Sequence, residues 1–320
     1  MKIFTKLRRA LDRITGLETF HNDIQAVHHE ISGLRREVED LKLLSAKTFI
    51  NQIKNLSTCE SLKEFEFKVF SQFGDDGIIQ YLINGAEIDV QEFVEFGVED
   101  YTEANTRFLL MNNNWKGLVM DGSAENIERI RKREYYWRHD LSAVQCWVDR
   151  ESINNVLREN GFDGPLGLLS IDIDGNDYWI WECLDAVDPV VVIVEYNSVF
   201  GKDYAITIPY DPAFNRTRAH YSNLYWGTSL KALCMLAEKK GYAFSGTNST
   251  GNNAYFVKKS KLGKILPRRI EENYVISKYR ESRDLAGKLT FVGGEDRLKL
   301  IDDMPVYDVE NNRIAKIKDL

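Results

Sequence analysis

The sequence predicts an α/β protein, a parallel sheet with helices on both faces, preceded by a helical coiled coil. Segments typical of strands alternate with segments typical of helices between residues 93 and 258, as in a doubly wound sheet. The near-continuous apolar runs Leu166–Ile173 and Val190–Val194 suit strands buried on both faces. A heptad pattern over residues 17–41 predicts the coiled coil. We expect three parts: residues 1–53 (amphipathic helix and coiled coil), 54–260 (sheet domain) and 261–320 (C-terminal extension).

The heptads form the first predicted element. Apolar residues recur there at alternating intervals of three and four: Leu17, Phe20, Ile24, Val27, Ile31, Leu34, Val38 and Leu41. β-branched residues at position a favour a parallel dimer, and a trimer stays open. Glu30 and Glu37 at position g would meet Arg35 and Lys42 at position e of a second chain. The alternative is a single amphipathic helix packed on its own domain.

A basic amphipathic segment precedes the heptads. Its apolar residues are Ile3, Phe4, Leu7, Leu11 and Ile14, and its basic residues are Lys6, Arg8, Arg9 and Arg13. Such a helix can lie on an anionic membrane surface. Peripheral contact with the inner membrane is therefore one expectation, and a solvated lead-in to the coiled coil is the other.

The sheet domain is predicted element by element. The strands are Phe93–Gly97, Gly117–Asp121, Ala143–Val148, Leu166–Asp174 and Val190–Glu195. The helices that follow them are Ala104–Asn112, Ala124–Arg133, Arg150–Asn160, Tyr178–Leu184 and, after a long loop, Ser229–Lys240. A hairpin closes the sheet with Tyr242–Gly246 and Ala254–Lys258. In the extension we expect short strands at Leu289–Val292, Leu298–Ile301 and Val306–Val309.

Composition limits the compartment and the class of partner. The 320 residues include 42 Lys and Arg against 49 Asp and Glu, a formal charge of -7, so no dedicated nucleic-acid binder is expected. Four cysteines without C-x-x-C spacing indicate a reducing compartment, with neither disulfides nor a zinc site. The longest strongly apolar run, Val190–Val194, is far shorter than a membrane span. We expect a cytoplasmic protein.

Acidic residues stand at or just after the end of each predicted parallel strand: Glu95, Asp121, Asp149, Asp172, Asp174 and Glu195. Open parallel sheets bind ligands at this edge, and a buried carboxylate is costly without a partner. Ribose hydroxyls, an ammonium or sulfonium group, or a divalent cation would each provide one.

The spacing from Gly97 to Asp121 predicts a nucleoside site. It is close to the roughly 20 residues that separate a glycine turn from the acid that binds ribose. The phosphate-binding glycine motif is absent, and Glu99 and Asp100 would repel a pyrophosphate. These features disfavour NAD, FAD and nucleotide sugars, and favour S-adenosylmethionine. Helix capping or a surface salt bridge is the alternative role for Glu95 and Asp121. We expect the cofactor to contact Glu95, Gly97, Asp121, Ser123, Asp149 and Asp172.

A second predicted cluster combines Asp174, Glu195 and Asn197 at the ends of adjacent strands. Hard oxygen ligands of this kind suit Mg²⁺, Mn²⁺ or Ca²⁺. A metal there would orient a sugar diol and lower the pKa of its hydroxyl. The alternative is a set of carboxylates hydrogen-bonded to neighbouring loops without a metal.

The loop at residues 197–228 is long and aromatic, and it is the expected acceptor-binding segment. Its aromatic faces would stack on sugar rings, and Arg216 and Arg218 would bind an acidic substituent. The catalytic candidates are His220, as a general base, and Asp174. A packed lid with a structural histidine is the alternative.

Several segments carry a resemblance to a known family: FVEFGVEDYTEANTRFLL, WKGLVMDGS, LLSIDIDGNDYW, VVVIVEYN and SLKALCMLAEKKGY, preceded by SQFGDDGII. Over residues 70–258 the chain resembles the class I S-adenosylmethionine-dependent methyltransferases, and within them the FkbM-like branch associated with bacterial surface polysaccharides. The resemblance implies a Rossmann-like methyltransferase sheet. It also implies O-methylation of a sugar hydroxyl on a surface glycan (O-antigen or capsule) or its precursor.

The resemblance also implies residue roles. Glu95 and Gly97 match the methionine and backbone site, and Asp121 matches the ribose acid. Asp174-Gly175 with Asp177 matches the acidic motif after the fourth strand. The departure is the missing second glycine after Gly97, so a catalytically inactive scaffold oligomerised by its coiled coil is the alternative function.

Overall fold

The computed structural model describes residues 4–6, 11, 17–55 and 61–320. Contacts divide the chain into two units, Met1–Phe49 and Ile50–Leu320. Most of the predicted basic amphipathic segment lies outside the described residues, and so does the predicted membrane contact. No described helix combines the length and the apolar character needed to cross a membrane.

The predicted heptads lie on one continuous helix, α1, Leu17–Asn55. The helix extends beyond the predicted boundary at residue 53 because Ile50 and Ile53 are apolar and buried in the second unit. Helix formation over the heptads is confirmed, and the coiled coil itself stays a prediction.

The described residues of the second unit form ten strands. They are β1 Glu92–Phe96, β2 Lys116–Asp121, β3 Leu141–Gln145, β4 Gly164–Ile171, β5 Val187–Glu195, β6 Ile206–Thr207, β7 Tyr242–Thr247, β8 Asn253–Lys258, β9 Pro305–Asp308 and β10 Arg313–Lys316. Seven of them form one sheet in the order β3-β2-β1-β4-β5-β8-β7. The first five run parallel, and the hairpin of β7 and β8 closes the sheet with antiparallel pairs. The predicted α/β class and the closing hairpin are confirmed.

Helices lie on both faces of this sheet. The helices that follow α1 in the chain are α2 Asp75–Gly85, α3 Arg107–Asn113, α4 Ala124–Arg131, α5 Glu134–Arg138, α6 Ile153–Glu159, α7 Asp177–Cys183, α8 Arg216–Ala219, α9 Leu230–Lys239, α10 Ile270–Asn273 and α11 Asp296–Lys299. Alternate residues of a strand point to opposite faces. Val94 accordingly packs in the core with Trp181 and Leu233, and Phe93 packs in the opposite core with Leu82 and Leu109. The sheet is therefore wound on both sides.

The C-terminal residues build a second, three-stranded sheet with the long loop. Its order is β10-β9-β6, so β6 from the loop pairs with β9. The strand predicted at Val306–Val309 is confirmed. The strand predicted at Leu298–Ile301 is wrong, because Leu298 and Ile301 lie one helical turn apart and pack with Phe200. The strand predicted at Leu289–Val292 is reduced to one isolated bridge.

Candidate active site

A cleft of about 830 Å³ lies at the carboxyl ends of the parallel strands. On either side of the β1–β4 pair the chain proceeds in opposite directions, which makes this edge the topological switch point. Of the predicted site residues, the cleft is lined by Glu95, Gly97, Asp121, Ser123, Asp172, Asp174 and Glu195. The prediction that strand-end acids converge on one edge therefore holds for most of the set.

Gly97 directly follows β1 and lies against Asp172, which directly follows β4. Its φ is +75°, and a Cβ built on it would lie 1.6 Å from the carbonyl oxygen of Asp172. No side chain fits there, since the contact is with backbone that cannot move aside. The glycine thus lets the ends of these two strands pack against each other beside the cleft.

Glu95 lines the cleft, but its carboxylate oxygens accept hydrogen bonds from other groups of the protein. Its oxygens accept hydrogen bonds from the N–H of Asn105 at 2.9 Å, from the N–H of Thr106 at 3.0 Å and from the Thr106 hydroxyl at 2.5 Å. Burial raises the pKa of this carboxyl, and these hydrogen bonds oppose the rise. Glu95 therefore holds the segment that leads into α3, the capping role that the sequence left open.

Asp121 fixes the turn that follows β1. One carboxylate oxygen accepts from the N–H of Glu99 at 2.9 Å, and the other accepts from the N–H of Ser123 and the Asn126 amide. Glu99 has a φ of +47°, which a glycine would adopt more easily. Glu99 thus stands in the turn where a second glycine was missing, and its N–H donates to Asp121, the predicted ribose acid.

The wall after β3 differs from the prediction. Asp149 is not among the described residues that line the cleft, because its carboxylate accepts from the N–H and hydroxyl of Ser152 at 2.8 and 2.7 Å. Trp147, which the sequence analysis missed, lines the cleft instead. A Cβ on Gly122 would lie 2.9 Å from the indole, so the ring stands against the backbone after β2. The available signal was a tryptophan near the end of the predicted strand Ala143–Val148, which in the structure ends earlier, at Gln145.

Asp172 and Glu195 form a carboxyl pair at the ends of adjacent strands β4 and β5. Burial raises the pKa of both groups, and the negative charge of Asp174 raises the pKa of each further. The charge of Asp172 also raises the pKa of Glu195, whereas a hydrogen bond from Glu195 lowers the pKa of Asp172 and opposes part of its rise. The pair therefore retains a proton to a higher pH than an ordinary carboxyl would.

The cation in this acidic cluster is the guanidinium of Arg216. Its Nη1 donates to Asp174 at 2.8 Å, its Nη2 donates to Glu281, and its Nε donates to the carbonyl of Asn223 at 3.3 Å. The guanidinium also lies over the ring of Trp226, 4.3 Å from its centroid. Arg216 thereby ties the long loop to the end of β4 and to the C-terminal residues.

The predicted metal ligands do not fit a metal ion. Asn197 donates to the carbonyls of Leu224 and Trp226, both at 2.9 Å, and its Oδ1 accepts from the N–H of Val199. Asp174 is paired with Arg216. Within the described ranges, no group of three or more His, Cys, Asp or Glu is arranged to hold a metal. The sequence showed the three side chains near one edge, but the partners of Asp174 and Asn197 are protein groups.

His220, the predicted general base, lies away from the cleft. Its Nδ1 is 2.8 Å from the hydroxyl of Ser222, and its ring lies against Tyr221. Burial lowers its pKa. It is not among the described residues that line the cleft, so the structural role that the sequence left open suits it better.

Asp177 shapes the turn after β4. Its carboxylate accepts from the N–H groups of Ile173 and Gly175, both at 2.9 Å. Burial raises its pKa to about 7, against these hydrogen bonds. A Cβ on Gly175 would lie 2.3 Å from the ring of Phe214, so the long loop packs directly on this turn.

Amide side chains that the sequence analysis missed complete the far end of the cleft. Gln72, Asn252 and Asn253 line it; Asn252 lies between β7 and β8, and Asn253 is the first residue of β8. No described residue is a hydrogen-bond partner of the buried Asn253 Oδ1. The polar run TNSTGNN in this hairpin was the only sequence signal.

A smaller chamber of about 160 Å³ adjoins the cleft. Both cavities are lined by Gln72, Glu195, Arg216, Asn252 and Glu281. The chamber's remaining wall includes Trp226, Tyr279 and Arg297. The cleft therefore extends past Arg216 towards the C-terminal residues.

No family model matches the chain, and no curated protein matches it. Among solved structures, it is similar to an O-methyltransferase from Bacillus cereus in complex with SAH, with a TM-score of 0.38, 13% identity, and coverage of 68% of this chain and 91% of that one. It is also similar to the N-terminal domain of EvdMO1 with SAH bound, with a TM-score of 0.38, 11% identity, and coverage of 70% and 94%. For a SAM-dependent methyltransferase from Aquifex aeolicus the TM-score is 0.36, with 11% identity and coverage of 65% and 98%.

Proposed function

We propose that this protein is an S-adenosylmethionine-dependent O-methyltransferase. The observation that carries the proposal is the cleft at the switch point, where Gly97 lets the ends of β1 and β4 pack together and Asp121 lines the same space from the next strand. A nucleoside fits this edge because a carboxylate at the end of the second strand can accept from both ribose hydroxyls. The acidic floor favours a positively charged cofactor over a pyrophosphate.

In this proposal, different residues along the cleft bind the cofactor and accept the proton. Asp121, Ser123 and the backbone at Gly97 would hold the nucleoside, and the exposed ring of Trp147 offers a flat surface for a base. The bound cofactor would supply an electrophilic methyl group. In this proposal Asp172 and Glu195, which line the cleft, take the role first given to His220 and receive the proton that an acceptor hydroxyl gives up.

The acceptor in this proposal is a sugar hydroxyl of a bacterial surface glycan or its precursor. Three neutral amides at the far end of the cleft, Gln72, Asn252 and Asn253, support a ligand that both donates and accepts hydrogen bonds without net charge. The resemblance to the FkbM-like branch supports the glycan class.

Calorimetry with S-adenosylmethionine and S-adenosylhomocysteine tests the cofactor. We expect binding to the wild type, and Asp121→Ala to weaken it by on the order of 1.5–3 kcal/mol through the loss of charge-assisted hydrogen bonds. Asp149→Ala is the matched control, since Asp149 lies just outside the cleft lining and should leave the affinity unchanged. Wild-type affinity in the Asp121 variant would reject this cofactor site.

The alternative is an inactive methyltransferase-like scaffold. The observation in its favour is the strained, glycine-free turn at Glu99 and Tyr101, where both residues have positive φ. A wild-type protein that binds neither form of the cofactor would support the scaffold.

A further inference from the structure

Helix α1 carries an exposed apolar stripe, which we call the seam: Phe20, Ile24, Val27, Ile31, Leu34, Val38 and Leu41. The exposed fraction of these side chains runs from 39% at Ile24 to 63% at Phe20. Single exposed apolar residues are ordinary, but a continuous row of seven marks an interaction surface.

The buried part of α1 lies on a different face. Beyond Leu41 the next a and d positions are Ser45 and Thr48, both polar and exposed, so the seam ends there. The buried side chains Ile50 and Ile53 occupy positions f and b, on the outside of a coiled coil with this register. The chain's own packing therefore leaves the seam uncovered.

The charges beside the seam select the orientation of a partner helix. Glu30 and Glu37 at g, and Arg35 and Lys42 at e, are all exposed. In a parallel pair, g of one helix meets the following e of the other, so opposite charges face each other. In an antiparallel pair, g meets g and e meets e, so like charges do.

We propose that the seam binds the seam of a second copy of this chain, forming a parallel, in-register, two-stranded coiled coil. Ile24, Ile31 and Val38 at position a, with mainly Leu or Val at d, match the preference of two-stranded coils. Gly33 lies at the outer position c and does not interrupt the seam. An anionic membrane is the poorer occupant, because Glu30 and Glu37 flank the seam. This inference does not depend on the proposed activity.

The test of the dimer is the mass of the full-length protein in solution by light scattering. We expect twice the 37.0 kDa chain mass. Ile31→Glu places a charge in the seam and should give the single-chain mass, whereas His29→Glu, at the outer position f, should remain dimeric. Circular dichroism and thermal unfolding check that both variants fold. A wild type of single-chain or three-chain mass, or an unchanged mass for Ile31→Glu, would overturn the proposal.

Disulfide trapping tests the orientation. In a parallel, in-register pair the two residues 34 face each other at position d, so Leu34→Cys should form a covalent dimer under mild oxidation. Ser32→Cys, at the outer position b, is the matched control and should not. The wild type serves as a blank because the chain has its own cysteines. A dimer by mass in which Leu34→Cys fails to crosslink more than Ser32→Cys would overturn the parallel register.

Discussion

The side chain of Arg216 connects three segments of the chain beside the cleft. It contacts Asp174 after β4, Glu281 in the C-terminal residues, and the ring of Trp226 in its own loop. A guanidinium can do this because it offers several donors in one plane and stacks on an aromatic face. A lysine has neither property, so the identity of this residue matters as much as its charge.

We therefore expect Arg216→Lys to lower turnover roughly tenfold or more, about 1.4 kcal/mol or more in the activation free energy. Affinity for S-adenosylhomocysteine should stay within about twofold, because the nucleoside side of the cleft is unchanged. Steady-state kinetics and calorimetry measure the two quantities. Arg218→Lys, an exposed neighbour in α8, is the control. Equal losses in both variants would argue against the positioning role.

Arg216 also predicts the effect of chelators. Since its guanidinium occupies the acidic cluster and the amide of Asn197 is fully bonded, methyl transfer should proceed unchanged in EDTA. Added Mg²⁺ or Mn²⁺ should not raise the rate. Loss of activity in EDTA with recovery on adding either ion would restore the metal hypothesis.

The pair of Asp172 and Glu195 predicts the pH dependence. Burial raises the pKa of each carboxyl, the charge of Asp174 raises it further, and only the ionised form accepts a proton. The rate should therefore rise with pH through this raised pKa, rather than staying flat above the ordinary carboxyl range. Glu195→Gln should lower turnover by roughly 10²–10⁴-fold and flatten the profile. A pH profile identical to that of the wild type would exclude Glu195 as the proton acceptor.

At the scale of elements, the turns after the strands line the cleft. Helix α1 carries the exposed seam along its first part, and its buried residues Ile50 and Ile53 lie near its end. Each turn is held by a carboxylate that accepts backbone N–H groups, as with Asp121 after β2 and Asp177 after β4. These carboxylates make the strand ends rigid before any ligand binds. The seam side chains of α1 are exposed, so the proposed partner helix would add to the stability that helix propensity supplies over this stretch.

Substitution of two glycines, one in α1 and one in the second unit, tests how backbone conformation affects the stability of these elements. A Cβ on Gly33 meets nothing within 4 Å and its backbone is helical, so Gly33→Ala should stabilise α1 by about 1 kcal/mol. Gly161 also has open space, but its φ is +81°, so Gly161→Ala should destabilise the second unit by about 1 kcal/mol. Denaturant unfolding followed by circular dichroism measures both effects. Effects of the same sign would contradict this assignment.

At the scale of the whole molecule, the C-terminal residues belong to the cleft. Glu281 lines both cavities and contacts Arg216, while β9 pairs with β6 from the long loop. The predicted C-terminal extension is thus part of the unit that contains the sheet. These contacts join the C-terminal residues to the long loop beside the cleft.

Glu281→Gln should accordingly keep the fold and the cofactor affinity but weaken the hold on Arg216. We expect turnover to fall by roughly tenfold to a hundredfold, in line with the roughly 1.5–3 kcal/mol that a hydrogen bond to a charged group contributes. Glu272→Gln, an exposed acid in α10, is the control for a change of charge. Turnover equal to that of the wild type would show that Glu281 does not hold the site.

The sequence by itself determined the features that depend on short-range patterns. Strand and helix periodicity predicted the α/β class and the closing hairpin, and the heptads predicted helix α1. The chemistry of the strand ends predicted that Gly97 and Asp121 lie at the edge where the cleft is found. Only the tertiary structure decided which partner each polar side chain takes. Arg216 lies 42 residues from Asp174 and 65 from Glu281 in the sequence, yet it replaces the expected metal. The physical reason is that a buried charge is satisfied by whichever opposite charge the fold brings within hydrogen-bond distance, and no local pattern specifies that choice.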